Sequence, residues 1–331
     1  MNIPKLLSVT LGITLGLLAQ AQAQTFLTNG LVAYYPFNGN ANDQTTNANN
    51  GTPNNAVLTA DKLNQAANAY AFNGANAFIS APNKAYLTFP NGGDFSISVW
   101  AAFSSVASPN FYFIGCDNGP GNNPKWILQY GQLALLPTPP AGNFVTFHMS
   151  RGLNVGYALA TTPHNPALGT WHHYLVTKAG TSYTLYIDGA LAIGATNYMN
   201  DHGVLKVIAT GPSAMESGIT APLTIGEAES GGFVNGKLDD IRIYNRALPS
   251  SEVAQLYAIE SGPRVDLIKA VKPSFYNLTL TTNYQMQVSG DMSTWTNYGS
   301  PFTAISTNMI WPQYFDVANW NSLFFRLQVS P

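Results

Sequence analysis

The sequence predicts an all-β protein, an antiparallel sandwich of two sheets followed by a small all-β C-terminal domain. Three observations predict it. Short runs alternate apolar and polar residues, as in Phe95-Ser96-Ile97-Ser98-Val99-Trp100, the mark of strands buried on one face. Turn formers separate these runs, with 29 Gly, 21 Pro and 33 Asn among 331 residues. Helical spacing stands out in one short stretch, near residue 250.

Residues 1–23 read as an export signal. Lys5 supplies the positive start, Leu6 to Leu18 an apolar run, and Ala21-Gln22-Ala23 a small-x-small cleavage site. The run is shorter than the ~20 residues that span a bilayer. The mature chain is expected to begin at Gln24, without an integral membrane span, and to be secreted, periplasmic or held at the cell surface. Cys116 is the single cysteine, so an exported chain of this kind folds without an internal disulfide. Its setting, Phe111 to Cys116, reads as a buried strand and its thiol as structural.

Further strands are expected at Leu31–Phe37, Trp126–Tyr130, Phe144–Phe147, Trp171–Thr177 and Tyr183–Ile187. Lys178–Ser182 is a hairpin loop, and Asp188-Gly189 is a tight two-residue turn before Leu191–Ile193. Leu223–Ile225 and Gly236–Tyr244 complete the first set. The helix is expected over Ser250–Tyr257, after Pro249, with a serine capping its first turn and Val253, Leu256 and Tyr257 on one apolar face. Residues 24–260 form the first domain, 261–263 a linker and 264–331 the second. In the second, Tyr284–Ser289 and Leu323–Val329 read as strands.

Charged residues are 9% of the chain and the net charge is −2, so no basic footprint exists for nucleic acid. A coiled coil is excluded by composition. A surface rich in amides and hydroxyls suits neutral polar ligands.

Four segments, in order, resemble one family. They are Gly30-Leu31-Val32-Ala33-Tyr34-Tyr35-Pro36-Phe37-Asn38-Gly39 with Asn42-Asp43; Tyr70-Ala71-Phe72-Asn73-Gly74 with Phe95–Trp100; Thr170-Trp171-His172-His173-Tyr174 through Asp188-Gly189; and Gly236-Lys237-Leu238-Asp239-Asp240-Ile241-Arg242-Ile243-Tyr244 through Arg246-Ala247-Leu248-Pro249. Together they resemble the bacterial laminin-G-like, concanavalin A-like lectin/glucanase domain over residues 29–260. The resemblance implies a two-sheet jelly roll. The tail loosely resembles a fibronectin type III module, though it is short for one. Trp100 and Trp171 are expected to fill the space between the sheets.

Glucanases of this superfamily carry paired acids on one strand, and a retaining glycosidase needs two carboxyls ~5 Å apart. This chain has five Glu, and its nearest match, Glu227-Ala228-Glu229, lies between Gly226 and Gly231-Gly232, a loop setting without a third acid. No catalytic residue is therefore assigned. The resemblance suggests a structural Ca²⁺ held by Asn40, Asp43 and one of Asp239 and Asp240, with Asp240 the choice. Neighbouring strand residues point oppositely, so only one of that pair could meet a shared ion. The alternative is an Asx turn at Asn42-Asp43 and an aspartate capping amides. His172 and His173 face opposite sides, while His148, His164 and His202 are scattered without metal spacing. Tyr112, Trp126 and Tyr130, around the Gly119–Pro124 loop, are the aromatic residues expected to stack on a ligand. The function expected is an exported, non-catalytic recognition or adhesion protein that binds carbohydrate or another extracellular polymer or protein. A glucanase-like glycoside hydrolase and a purely structural envelope or matrix protein are the alternatives.

Overall fold

The computed structural model describes residues 26–89, 92–106, 110–119, 123–132, 141–150, 155–215, 218–229, 231–262, 270–312, 314–316 and 322–330. The expected export signal, residues 1–23, lies outside them. The chain divides into two compact units, Met1–Pro263 and Arg264–Pro331.

The first unit is a sandwich. Its strands are β1 (Leu31–Tyr35), β2 (Thr52–Asn54), β3 (Val57–Thr59), β4 (Ala69–Asn73), β5 (Phe78–Ala81), β6 (Phe95–Phe103), β7 (Asn110–Asp117), β8 (Lys125–Gly131) and β9 (Phe144–Ser150). They continue as β10 (Val155–Pro163), β11 (Trp171–Ala179), β12 (Ser182–Ile187), β13 (Ala190–Leu191), β14 (Thr196–Asp201), β15 (Val204–Ile208), β16 (Leu223–Ile225) and β17 (Asn235–Tyr244). One sheet runs β13-β12-β11-β6-β17-β4-β3, with β1 added on β17; the other runs β15-β14-β10-β9-β8-β7-β16-β5-β2. Every strand pair within them is antiparallel. Two large facing sheets with these crossovers make the expected all-β jelly-roll sandwich.

The period of two decides what lies between the sheets. From β6 the inner side chains are Phe95, Ile97, Val99, Ala101 and Phe103; from β8 they are Trp126, Leu128 and Tyr130. Trp126 is the tryptophan that fills the space between the sheets, and its indole N–H donates to the Leu87 carbonyl at 2.8 Å. The expectation for Trp100 is corrected. On β6 it alternates with Val99 and Ala101, so it turns outward, where the helix α1 (Ser250–Ser261) covers it. There it stacks on Tyr257 at 5.5 Å. Trp171, at the start of β11, is half-buried and not part of the inner core.

Helix α1 places Val253 and Leu256 against Leu175, Tyr186, Tyr244 and Leu248, a second apolar layer on the outside of the eight-stranded sheet. Pro249 occupies the N-cap and no side chain caps the first turn, contrary to the expected serine cap. Cys116 is buried in the inner core, and burial pushes its thiol far up.

In the second unit β18 (Asn283–Ser289) pairs with β21 (Phe324–Val329), β19 (Thr296–Asn297) and β20 (Phe302–Thr303). Met286 and Trp311 form its small core, with Phe275, Val288, Phe302 and Leu327 packed on them.

Candidate functional site

Alternation in β7, β8 and β9 sends Tyr112, Lys125, Ile127 and His148 to the face of the nine-stranded sheet opposite the core. The loop between β16 and β17 folds onto this face. Its tight turn is closed by the Gly231 N–H donating to the Ala228 carbonyl at 3.0 Å, and Glu229 adopts φ +54°. Gly232, at φ +59°, lies directly on the Tyr112 ring, so a Cβ there would have no room. The Tyr112 N–H fixes the loop by donating to the Gly232 carbonyl at 3.1 Å.

This fold of the loop brings Glu229 over three strand residues. Lys125 Nζ donates to Glu229 Oε1 at 2.6 Å and to the Gly119 carbonyl at 2.6 Å, and lies 3.1 Å from Asp117 Oδ1. The Tyr112 hydroxyl donates to Glu229 Oε2 at 2.9 Å. The Glu229 N–H donates to Asp117 Oδ2. Lys125 is fully buried, whereas the Glu229 side chain is 27% exposed. The cluster is therefore anchored in the sheet and reaches solvent at Glu229.

Burial acts to raise the Glu229 carboxyl, but the hydrogen bond and charge of Lys125 and the Tyr112 hydroxyl hold it below the usual range. The Tyr112 hydroxyl is pushed up by burial and by Glu229. Burial pushes the His148 imidazole down to about 4, so it is neutral, and its Nε2 is buried without a partner. One cation between two carboxylates suits hydrogen-bonded recognition. It does not suit a general acid, which needs a carboxyl that keeps its proton near neutral pH. Glu227 stands in the same loop, where its carbonyl accepts the Thr224 hydroxyl at 2.9 Å.

The three aromatic residues expected to stack on a ligand are corrected. Tyr112, Trp126 and Tyr130 are 5%, 0% and 1% exposed, so none offers a ring face. Trp126 and Tyr130 point between the sheets. Tyr112 lies on the outer face but under Gly232, and only its hydroxyl takes part in the site. Residues 120–122 of the neighbouring loop lie outside the described residues.

The residues suggested for calcium do not fit one. Asp43 Oδ1 accepts the N–H groups of Tyr34 (3.0 Å) and Thr45 (2.9 Å); Oδ2 accepts the Thr45 hydroxyl (3.0 Å) and the Asn49 N–H (3.0 Å). Those four donors occupy the lone pairs that a cation would use, and the Thr45 bond is the Asx turn. Asn40 Oδ1 accepts the Asn42 N–H at 2.8 Å, on the surface. Asp240 meets a cation, but it is the Lys62 ammonium at 2.5 Å, and Asp239 meets the same ammonium at 3.1 Å. The expectation that only one of the pair could reach a shared ion is corrected. A bulge between Asp239 and Arg242, with Asp240 at φ +43°, breaks the alternation and turns both carboxylates to one side. Lys62 keeps its proton because its acidic neighbours, Asp240 foremost, outweigh burial. Among the described residues no group of three His, Cys, Asp or Glu is arranged to hold a metal.

Sequence reasoning missed two things. Asp117 and Lys125 gave no signal as site residues, because their partner Glu229 is more than a hundred residues away. His164, read as scattered, stands against His172 with ring centres 5.3 Å apart.

The family model described as the concanavalin A-like lectin/glucanases superfamily matches residues 72–254. No curated protein sequence matches the chain. Solved structures of similar fold include domain 4 of a GH43 extracellular arabinanase from Geobacillus stearothermophilus, solved with arabinotriose (20% identity, TM-score 0.49, 69% of this chain and 98% of that one). Trypanosoma rangeli sialidase is another (17% identity, TM-score 0.45, 70% and 33%), as is the binding domain of botulinum neurotoxin DC (14% identity, TM-score 0.48, 78% and 57%). The present chain spans about a third of that sialidase and over half of that toxin domain. With more than half of its length matched by the family model and a sandwich of two antiparallel sheets, the chain belongs to the concanavalin A-like lectin/glucanase superfamily.

Proposed function

We propose that the protein is an exported, non-catalytic recognition module for carbohydrate, with the Glu229 cluster at its binding face. The observation that carries this reading is the Lys125 clamp on Glu229. It keeps the carboxylate ionised and oriented as a hydrogen-bond acceptor, which suits a sugar hydroxyl. The same clamp removes the protonated acid that glycoside hydrolysis requires. A chain with 9% charged residues and 33 Asn agrees with a neutral, hydroxyl-rich ligand.

The test is a panel of neutral and acidic polysaccharides, read both for binding and for new reducing ends. The reading expects binding to at least one neutral glycan, no release of reducing ends, and binding weakened about tenfold in Glu229→Gln, the loss of one charge-assisted hydrogen bond. Hydrolysis of any member overturns the non-catalytic reading. No binding across the panel overturns carbohydrate recognition and favours a structural role.

A further inference from the structure

A second cluster forms where β10 ends and β11 begins. On β11, His172 and Tyr174 lie opposite Ala101 and Val99 of β6, residues of the inner core, so both face the space between the sheets. His164 follows the last residue of β10, in the other sheet. Its ring meets His172 edge-on, with centres 5.3 Å apart, and meets Tyr174 at 5.5 Å. The His172 and Tyr174 rings are 6.3 Å apart. Three side chains with metal-binding atoms thus converge from two sheets.

The hydrogen bonds around them have a particular form. His172 Nδ1 is 2.7 Å from Asp188 Oδ2. Asp188 Oδ1 accepts the His173 N–H at 2.9 Å. The Asp188 carboxyl, hydrogen-bonded to Nδ1 of His172, turns Nε2 of that ring toward the cluster. A carboxylate behind the far nitrogen is the usual way a protein orients a histidine that ligates a metal. Asp188 is held at φ +51° by its turn, so its position is fixed by the backbone.

Two atoms in the cluster have no partner. His164 Nε2 and the Tyr174 hydroxyl are buried and unpaired. Buried polar atoms are nearly always paired, and an unpaired one points to a water or an ion.

We propose that His164, His172 and Tyr174 bind one divalent transition metal of the zinc and copper class, with Asp188 orienting His172. The ring spacing agrees. With metal–nitrogen bonds of ~2.0–2.1 Å and a tetrahedral angle, the centres of two bound imidazoles lie roughly 5 Å apart, close to the 5.3 Å seen. Nitrogen and phenol oxygen donors suit these metals better than calcium or magnesium. Binding through the phenolate releases the Tyr174 proton to solvent. Three protein donors leave one position of a tetrahedral metal for water or a ligand oxygen.

The test uses the full chain, stripped with a chelator and titrated with Zn²⁺ alone by calorimetry, and with Cu²⁺ alone by visible absorption. The proposal expects one equivalent bound and a phenolate-to-copper charge-transfer band. Asp188→Asn should weaken Zn²⁺ binding about 10–100-fold, and His164→Ala should weaken it further. Tyr174→Phe removes a hydroxyl that bonds nothing in the fold, so the variant should melt no lower than the parent, yet lose the band. Absence of stoichiometric binding overturns the proposal and leaves a bridging water to explain the orphan atoms. Binding unchanged in His164→Ala, or a band that survives in Tyr174→Phe, overturns it equally. If His172→Ala does not fold, the half-buried His164 and the Tyr174 variant still decide the matter.

Discussion

Removing one carboxylate beneath helix α1 should cost the first unit a large part of its stability. Glu260 lies at the end of α1 with its side chain buried. Its Oε1 accepts Arg242 Nε at 2.7 Å, and its Oε2 accepts the Trp100 indole N–H at 2.7 Å. In Glu260→Ala the guanidinium stays buried without its ion-pair partner, a loss of ~3–5 kcal/mol in such settings. The orphaned indole N–H adds ~1 kcal/mol or more. Arg242 retains the face of Tyr34, 3.6 Å from the ring centre, which favours the lower part of that range. We therefore expect about 4 kcal/mol in total. For a domain of this size each kcal/mol moves the melting temperature by ~2–4 °C, so the shift should be roughly 12 °C. Thermal and urea melts of the first unit's transition measure it. Glu260→Gln keeps an acceptor for Trp100 and should fall between the two. A cost in Glu260→Ala below about 1 kcal/mol, the range of exposed pairs, would refute the reasoning. So would a Gln variant as unstable as the Ala variant, because the charge would then be irrelevant.

Two further predictions concern pH. Burial and the neighbouring Asp240 push the Asp239 carboxyl well above its usual range. Such a group stabilises the fold below its unfolded pKa of ~4 and loses that contribution as pH rises through its folded value. Asp239→Asn should therefore gain on the parent as pH rises above ~4; parallel curves of melting temperature against pH would disprove a proton on Asp239. Conversely, burial holds His148 neutral, its pKa pushed down to about 4. Unfolding lets it charge, so stability falls as pH drops from ~6.5 toward that value. His148→Gln should remove a slope of at most ~1.4 kcal/mol per pH unit in that window; an unchanged acid limb of the urea-melt profile contradicts it.

The strands and the helix were legible because alternation and turn residues are local. Phe95–Trp100 reads correctly as a strand, and it continues to Phe103. Which face of it turns inward was not legible. Both faces of β6 are buried, one by the opposite sheet and one by α1, so a large outward residue such as Trp100 looks like core. The same ambiguity misplaced Trp126 and Tyr130, whose stacking surface is spent inside. The bulge at Asp239-Asp240 hid their common direction, because alternation assumes a regular strand. The Glu229 cluster and the meeting of His164 with His172 depend on contacts between distant strands, which spacing along the chain does not encode.

The place of Glu260 has a mechanical consequence. It stands two residues before Gly262, where the chain leaves the helix toward the second unit. Its two partners sit on β17 and β6, neighbouring strands in the middle of the eight-stranded sheet. Tension drawn along the chain from the C-terminal side would therefore meet this carboxylate first. To unpeel α1, the pull must break a charged bond and an indole bond together before it reaches the helix's apolar face. The helix end thus works as a clasp that passes load into central strands.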